Sequence, residues 1–179
     1  MKNTGHKLEK CISSFLILAL LLTCAYLPAC NNNEPGFGIY LVETGELVLS
    51  DQHIEAYYWE SHAIELNEEG VEKWNSYMTY SDIPKLKDTL VSQNFVLNIN
   101  GEEIYRGKFY SMVISASYSG VVILDALIKL DKTHNIIIIQ NGYPWSDPYT
   151  EEDPRNNQKL FDYLDSKGLL KPGEKSLFE

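Results

Sequence analysis

Residues 39–179 predict a single α+β domain, a mainly antiparallel sheet with helices packed on one face, and three observations carry that expectation. Phe95, Leu97 and Ile99 alternate with other residues up to Asn100-Gly101, after which Ile104 and Tyr105 begin a return. Asn-Gly supplies the positive dihedrals of a tight hairpin. A different period appears after Asn67, where Glu68 and Glu69 suit a first helical turn and Val71, Trp74 and Met78 fall on one face. Helical segments grouped with antiparallel strands are the pattern of an α+β fold.

In chain order, residues 39–42 and 47–49 read as short strands around the turn Glu43-Thr44-Gly45-Glu46. Ser50 or Asp51 then caps a short helix through Tyr57, and Ala63, Ile64 and Leu66 mark a strand before the helix that Asn67 caps. Pro84 opens a further short helix with Leu86 and Leu90 inward, because proline loses no hydrogen bond at a helix start. Apolar runs at 109–114, 121–130 and 136–139 extend the sheet. Asp153-Pro154 starts a closing helix with Leu160, Phe161 and Leu164 inward, and Gly168 ends it.

Ahead of this domain, Lys2, Lys7 and Lys10 precede an unbroken apolar stretch, residues 15–22, and small Ala29 stands before Cys30. That is the order of parts in an export signal. Leu27-Pro28-Ala29-Cys30 resembles the cleavage and acylation site of bacterial lipoprotein precursors, with Pro28 in place of the usual small or hydroxyl residue. The resemblance divides the chain into a signal peptide (1–29), a lipidated tether (30–38) and the domain (39–179). It implies a diacylglyceryl thioether on Cys30 and a protein exported and lipid-anchored to the cell membrane, or to an outer membrane where the cell has one. The competing reading is an uncleaved anchor over residues 12–29, near the length that spans a bilayer, against which Thr23, Cys24 and Pro28 weigh. The tether holds the domain within roughly 25 Å of the membrane.

Removal of residues 1–29 leaves 12 basic and 24 acidic residues, a formal charge of −12. Such a surface repels nucleic acid and anionic headgroups. Cys11 and Cys24 leave with the signal and lipid consumes Cys30, so the mature domain has no thiol for a disulfide, a metal or a nucleophile. No cofactor is expected beyond the lipid. His53, His62 and His134 show no His-Glu-x-x-His spacing, and the chain has no nucleotide loop, no Ser-x-x-Lys and no Gly-x-Ser-x-Gly. No metal site and no catalytic residue is therefore assigned, although a carboxylate pair assembled from distant positions stays open.

The segment Gly142-Tyr143-Pro144-Trp145-Ser146-Asp147-Pro148-Tyr149 is the best working surface, since aromatics stiffened by prolines give contact area at low entropic cost. Tyr143, Trp145 and Tyr149, with Tyr80 beyond its helical stripe, are the candidate partner-binding residues. The alternative has Trp145 and Tyr149 folded back over the core.

Residues 37–59, 63–74 and 95–109 are similar in layout to the head subdomain of the first periplasmic region of SecD, the protein-export factor. The shared features are a strand ending at Leu49-Ser50-Asp51, a strand entering a helix with an acidic start and a glycine (66–74), and a strand-Asn-Gly-strand hairpin (96–105). The resemblance implies a fold and a habit of touching other polypeptides, with no catalytic residue to carry over. The leading expectation is a non-enzymatic, membrane-anchored module binding an envelope or exported protein. An envelope glycan or cell-wall hydrolase, and a structural subunit of an envelope assembly, are the alternatives.

Overall fold

The computed structural model describes residues 36–145 and 152–177, so the predicted signal peptide, Cys30 and the start of the tether, like Tyr149, lie outside the described residues. Among those described, nine strands form one sheet: β1 (Phe37–Leu41), β2 (Leu47–Ser50), β3 (Ile54–Tyr58), β4 (Ala63–Leu66), β7 (Asn94–Ile99), β8 (Glu102–Tyr110), β9 (Tyr118–Leu124), β10 (Ile136–Tyr143) and β11 (Leu170–Lys171). β5 (Met78–Thr79) and β6 (Lys85–Leu86) pair only with each other. Two α-helices complete the fold, α1 (Glu68–Ser76) and α2 (Gln158–Ser166). No helix among the described residues is long and apolar enough to cross a membrane.

The strand order is β11-β3-β4-β10-β9-β8-β7-β1-β2, antiparallel except for the pairs β8/β9 and β11/β3. This is the α+β fold that the sequence predicts, with the Asn100-Gly101 hairpin in place and both turn residues at positive φ, 51° and 78°. The order has a geometric consequence. β2 and β3 are joined by a single 3-10 turn, Asp51–His53, yet β2 is one edge of the sheet and β3 lies next to the other edge strand, β11. Three residues reach about 10 Å. The sheet must therefore curl until its two edges nearly meet.

The concave side holds the main core, in which Phe37, Ile39, Leu97, Phe109, Ile123 and Ile137 from the strands meet Trp74 of α1 and Leu160 and Leu164 of α2. Both helices thus bury their apolar stripes on this side. α1 presses on the 3-10 turn: the Gly70 N–H donates to Asn67 Oδ1 at 2.9 Å, and a Cβ on Gly70 would overlap the His53 carbonyl oxygen. α2 bridges the seam between the sheet edges. Tyr163 donates to the Asp51 carboxylate beside β2, while Leu169 O and Lys171 O accept from Tyr57 N and Trp59 N of β3 and its turn. A Schellman closure ends α2, with Gly168 N–H on Asp165 O (2.8 Å) and Leu169 N–H on Leu164 O (2.9 Å). The edge strands are short, four residues in β2 and two in β11, which limits strand addition by another chain.

Behind the sheet, Tyr110, Val122 and Leu124 form a second, smaller cluster with Met112, Ile114, Tyr118 and Tyr143. It exists because β8 and β9 are parallel and residues 111–117 must cross the convex face to connect them.

Four local expectations are corrected. The helix expected through Tyr57 is only the 3-10 turn followed by β3, because residues 54–58 can pair with β4 across a turn in which His62 takes φ 52°. So short a helix is marginal without tertiary support. The helix expected after Pro84 is β6 and a turn, although Leu86 and Leu90 are buried as expected. There the Leu86 N–H is taken by the Asp125 carboxylate at 3.2 Å instead of a helical carbonyl. The run 121–130 stops being strand at Leu124, just before that buried carboxylate. Finally, α2 starts at Gln158 with Asn157 as its cap, because Asp153 is bound by the Arg155 guanidinium in a turn of its own.

Candidate functional site

Strand direction gives the sheet two distinct ends. β1 begins at Phe37, just after Gly36, where the expected tether would arrive, and the β7–β8 hairpin, the β3–β4 turn and the exit of β10 share that tether end. The end of β4, the end of β9 and the start of β10 lie at the far end.

A cleft of about 450 Å³ opens at the far end between the start of α1 and the segment before β10. Leu66 and Val71 supply apolar lining, and Glu55, Glu68, Glu72 and Asp131 supply carboxylates. Glu68 is paired with Lys132 at 3.1 Å, but both side chains are solvated and the pair contributes little. Asp131 Oδ1 accepts from Thr133 N and Thr133 Oγ1 (both 2.8 Å) and from His134 N (2.9 Å). Those bonds hold its pKa down at about 2, with the Thr133 hydroxyl the strongest of them. Asp131 is thus a fixed anion and a poor proton donor near neutral pH. Asn135 fastens the cleft wall by donating to Leu66 O at 2.7 Å and accepting Leu66 N–H on its own carbonyl at 2.8 Å.

The predicted binding residues do not come together. Tyr80 stands beyond α1, its hydroxyl on Asn75 Oδ1 at 2.7 Å and its ring 5.7 Å from Lys129 Nζ. Asn75 also clasps Leu130 through N–H and C=O, so Tyr80 belongs with the chain leading to the far end. Tyr143 ends β10 at the tether end, packed 5.1 Å from Tyr110 and donating to Met112 O at 3.0 Å. The Tyr143-Pro144 peptide is cis. Trp145 follows, 77% exposed, and so does not fold back on the core. Trp59, in the β3–β4 turn, is 42% exposed at the same end. Trp59 as a surface aromatic and the cleft glutamates Glu55, Glu68 and Glu72 are what the sequence reading left out; the Glu68/Glu72 spacing of four on one helical face was the available signal for the cleft.

One string of side chains has the look of a nucleophilic site. Ser50 Oγ lies 3.0 Å from His53 Nδ1, and His53 Nε2 lies 4.0 Å from Glu69 Oε1. The Ser50 backbone N–H also donates to Nδ1, at 2.9 Å, making this a capping box on the 3-10 turn. Nδ1 is thus an acceptor committed to the backbone, burial lowers the His53 pKa, and Ser50 is buried. Ser50 should therefore resist a serine-directed fluorophosphonate, with no adduct on the native protein by intact mass. Labelling of the native protein at Ser50 would contradict this.

A second histidine is held neutral beneath the segment before α2. Tyr57 Oη is hydrogen-bonded to His62 Nδ1 at 2.9 Å, and burial pushes the Tyr57 hydroxyl pKa far up, so it stays protonated. Desolvation, reinforced by the Arg155 guanidinium, lowers His62 to about 4. Arg155 holds Asp153 through Nε at 2.9 Å and Nη2 at 2.5 Å and donates from Nη1 to Ile139 O at 2.7 Å. Asp125 is fully buried, accepting from Leu86 N, from Met112 N at 2.9 Å and from Ser111 Oγ.

These groups tie strands and loops together rather than face a cleft. No group of His, Cys, Asp and Glu among the described residues could hold a metal ion. The chain matches no family model, no curated protein and no solved structure.

Proposed function

We propose that this protein is a lipid-anchored, non-enzymatic module of the cell envelope that binds polypeptides at the far end of its sheet. The observation that carries the reading is the far-end cleft, four carboxylates around Leu66 and Val71, at the opposite end of the strands from the tether. Carboxylates above an apolar lining suit a lysine or arginine side chain, whose aliphatic stem packs while its charge is neutralised. A mature charge of −12 attracts cationic segments at long range. The resemblance in layout to the SecD head favours exported chains as the partner class. A glycan hydrolase needs a proton-donating acid in its cleft. Asp131 is held ionised and Asp125 is sealed in the core, so neither can serve as that acid.

The test is photo-crosslinking in living cells with the probe placed in turn at Tyr80, Glu72, Trp145 and Tyr149, followed by mass spectrometry. Adducts with polypeptides carrying basic segments are expected from Tyr80 and Glu72, weakened when Glu68 and Glu72 are replaced by glutamine. Absence of polypeptide adducts from both positions would overturn the reading.

A further inference from the structure

The tether end carries a separate surface. Trp145 and Trp59 are the most exposed aromatic side chains among the described residues, and they share the end of the sheet at which Gly36 receives the tether. Trp74, the remaining tryptophan, is fully buried. α2 and its flanks connect the three places: the Tyr163 ring lies against Gly36, the Lys171 carbonyl accepts from Trp59 N, and Arg155 holds β10 at Ile139, shortly before Trp145. A continuous set of contacts thus links Gly36 to the neighbourhood of both exposed indoles.

Six residue-to-residue steps separate Cys30 from Gly36. Fully extended they reach about 20 Å, less than the bilayer core is thick. A domain on so short a leash keeps the end it hangs from near the lipid. Tryptophan partitions to the headgroup boundary, where its ring is dehydrated and its N–H stays bonded. The mature charge of −12 gives no electrostatic attraction to anionic lipid, which leaves the indoles as the groups suited to that boundary.

We infer that the Trp59–Trp145 end of the sheet rests on the bilayer, a lipid contact in addition to the acyl chains that holds the far-end cleft away from the membrane. This rests on the lipid-anchor reading of Cys30. The contact orients the domain; it is too small to anchor it alone.

The test uses the full-length protein purified from membranes and reconstituted into phosphatidylcholine vesicles, with phosphatidylcholine brominated near the headgroup end of the acyl chains as quencher. Intact mass first establishes whether Cys30 is acylated. The expected result is quenching of tryptophan emission that falls about twofold or more in the double variant Trp59→Phe/Trp145→Phe, where only core Trp74 emits. Both positions are exposed, so the variant keeps its fold, checked by an unchanged urea midpoint. Acylated protein with no quenching, or with equal quenching in the double variant, overturns the orientation and leaves the lipid anchor standing. An unacylated Cys30 overturns the anchor and the orientation with it.

Discussion

Asp125→Ala is expected to lower folding stability by about 3–5 kcal/mol, read as a fall in the urea midpoint. The carboxylate accepts three donors inside the protein, from Leu86 N, Met112 N and Ser111 Oγ, and its side chain is fully buried. Truncation leaves all three without an acceptor, at about 1–3 kcal/mol each before relaxation. It also loosens three pieces of chain, because β6, the start of the crossover and the residue after β9 are tied together there. Asp125→Asn is expected to cost less, since one acceptor oxygen remains, but its amide N–H group would point at a donor. Asp88→Ala, at an exposed position, should stay within about 0.5 kcal/mol. A loss below about 1 kcal/mol for Asp125→Ala would show that the three bonds contribute little.

Stability should also fall by on the order of 3 kcal/mol as the pH is lowered from neutrality to about 4, through His62. In the fold the imidazole is buried beside Arg155, so the neutral form is favoured and the pKa drops to about 4 from 6.5. The unfolded chain takes up a proton first as acid is added. The contribution is therefore complete above the unfolded value, declines between the two, and is exhausted below the folded one. His53, whose pKa burial also lowers, adds a smaller slope of the same sign. Urea titrations at intervals down to about pH 4.5, where most carboxylates remain ionised, isolate the effect. His62→Asn is the control, as asparagine tolerates the positive φ and does not titrate here. A wild-type slope that His62→Asn leaves unchanged would remove His62 as its cause.

Most of the sheet was legible wherever one face is buried and the other is not. The alternation of Phe95, Leu97 and Ile99 into Asn100-Gly101 specifies pairing and register locally, and the structure has both. Asn67 and Gly168 were legible for a similar reason, since capping chemistry is read within a few residues. Residues 84–90 were misread because their partner is distant in sequence, and residues 51–57 because pairing with a strand just across a turn outweighed a short helix. A carboxylate some forty residues away decides the backbone of Leu86, and β4 claims residues 54–58. The site was less legible than the fold. Tyr80 and Trp145 were both picked as surface aromatics, but only the strand order separates them to opposite ends, and no local pattern encodes that order.

The seam between β2 and β11 sets a timetable for the chain. Hairpins such as β1–β2 and β7–β8 can form as soon as their own residues are available, because they close small loops. Joining the edges cannot, since Tyr57 pairs with Leu170 and Asp51 takes its bond from Tyr163. Loops that long form late and slowly. In a polypeptide delivered N-terminus first, eight strands can pair before the seam is sealed, and the seam itself closes only once the final helix has emerged.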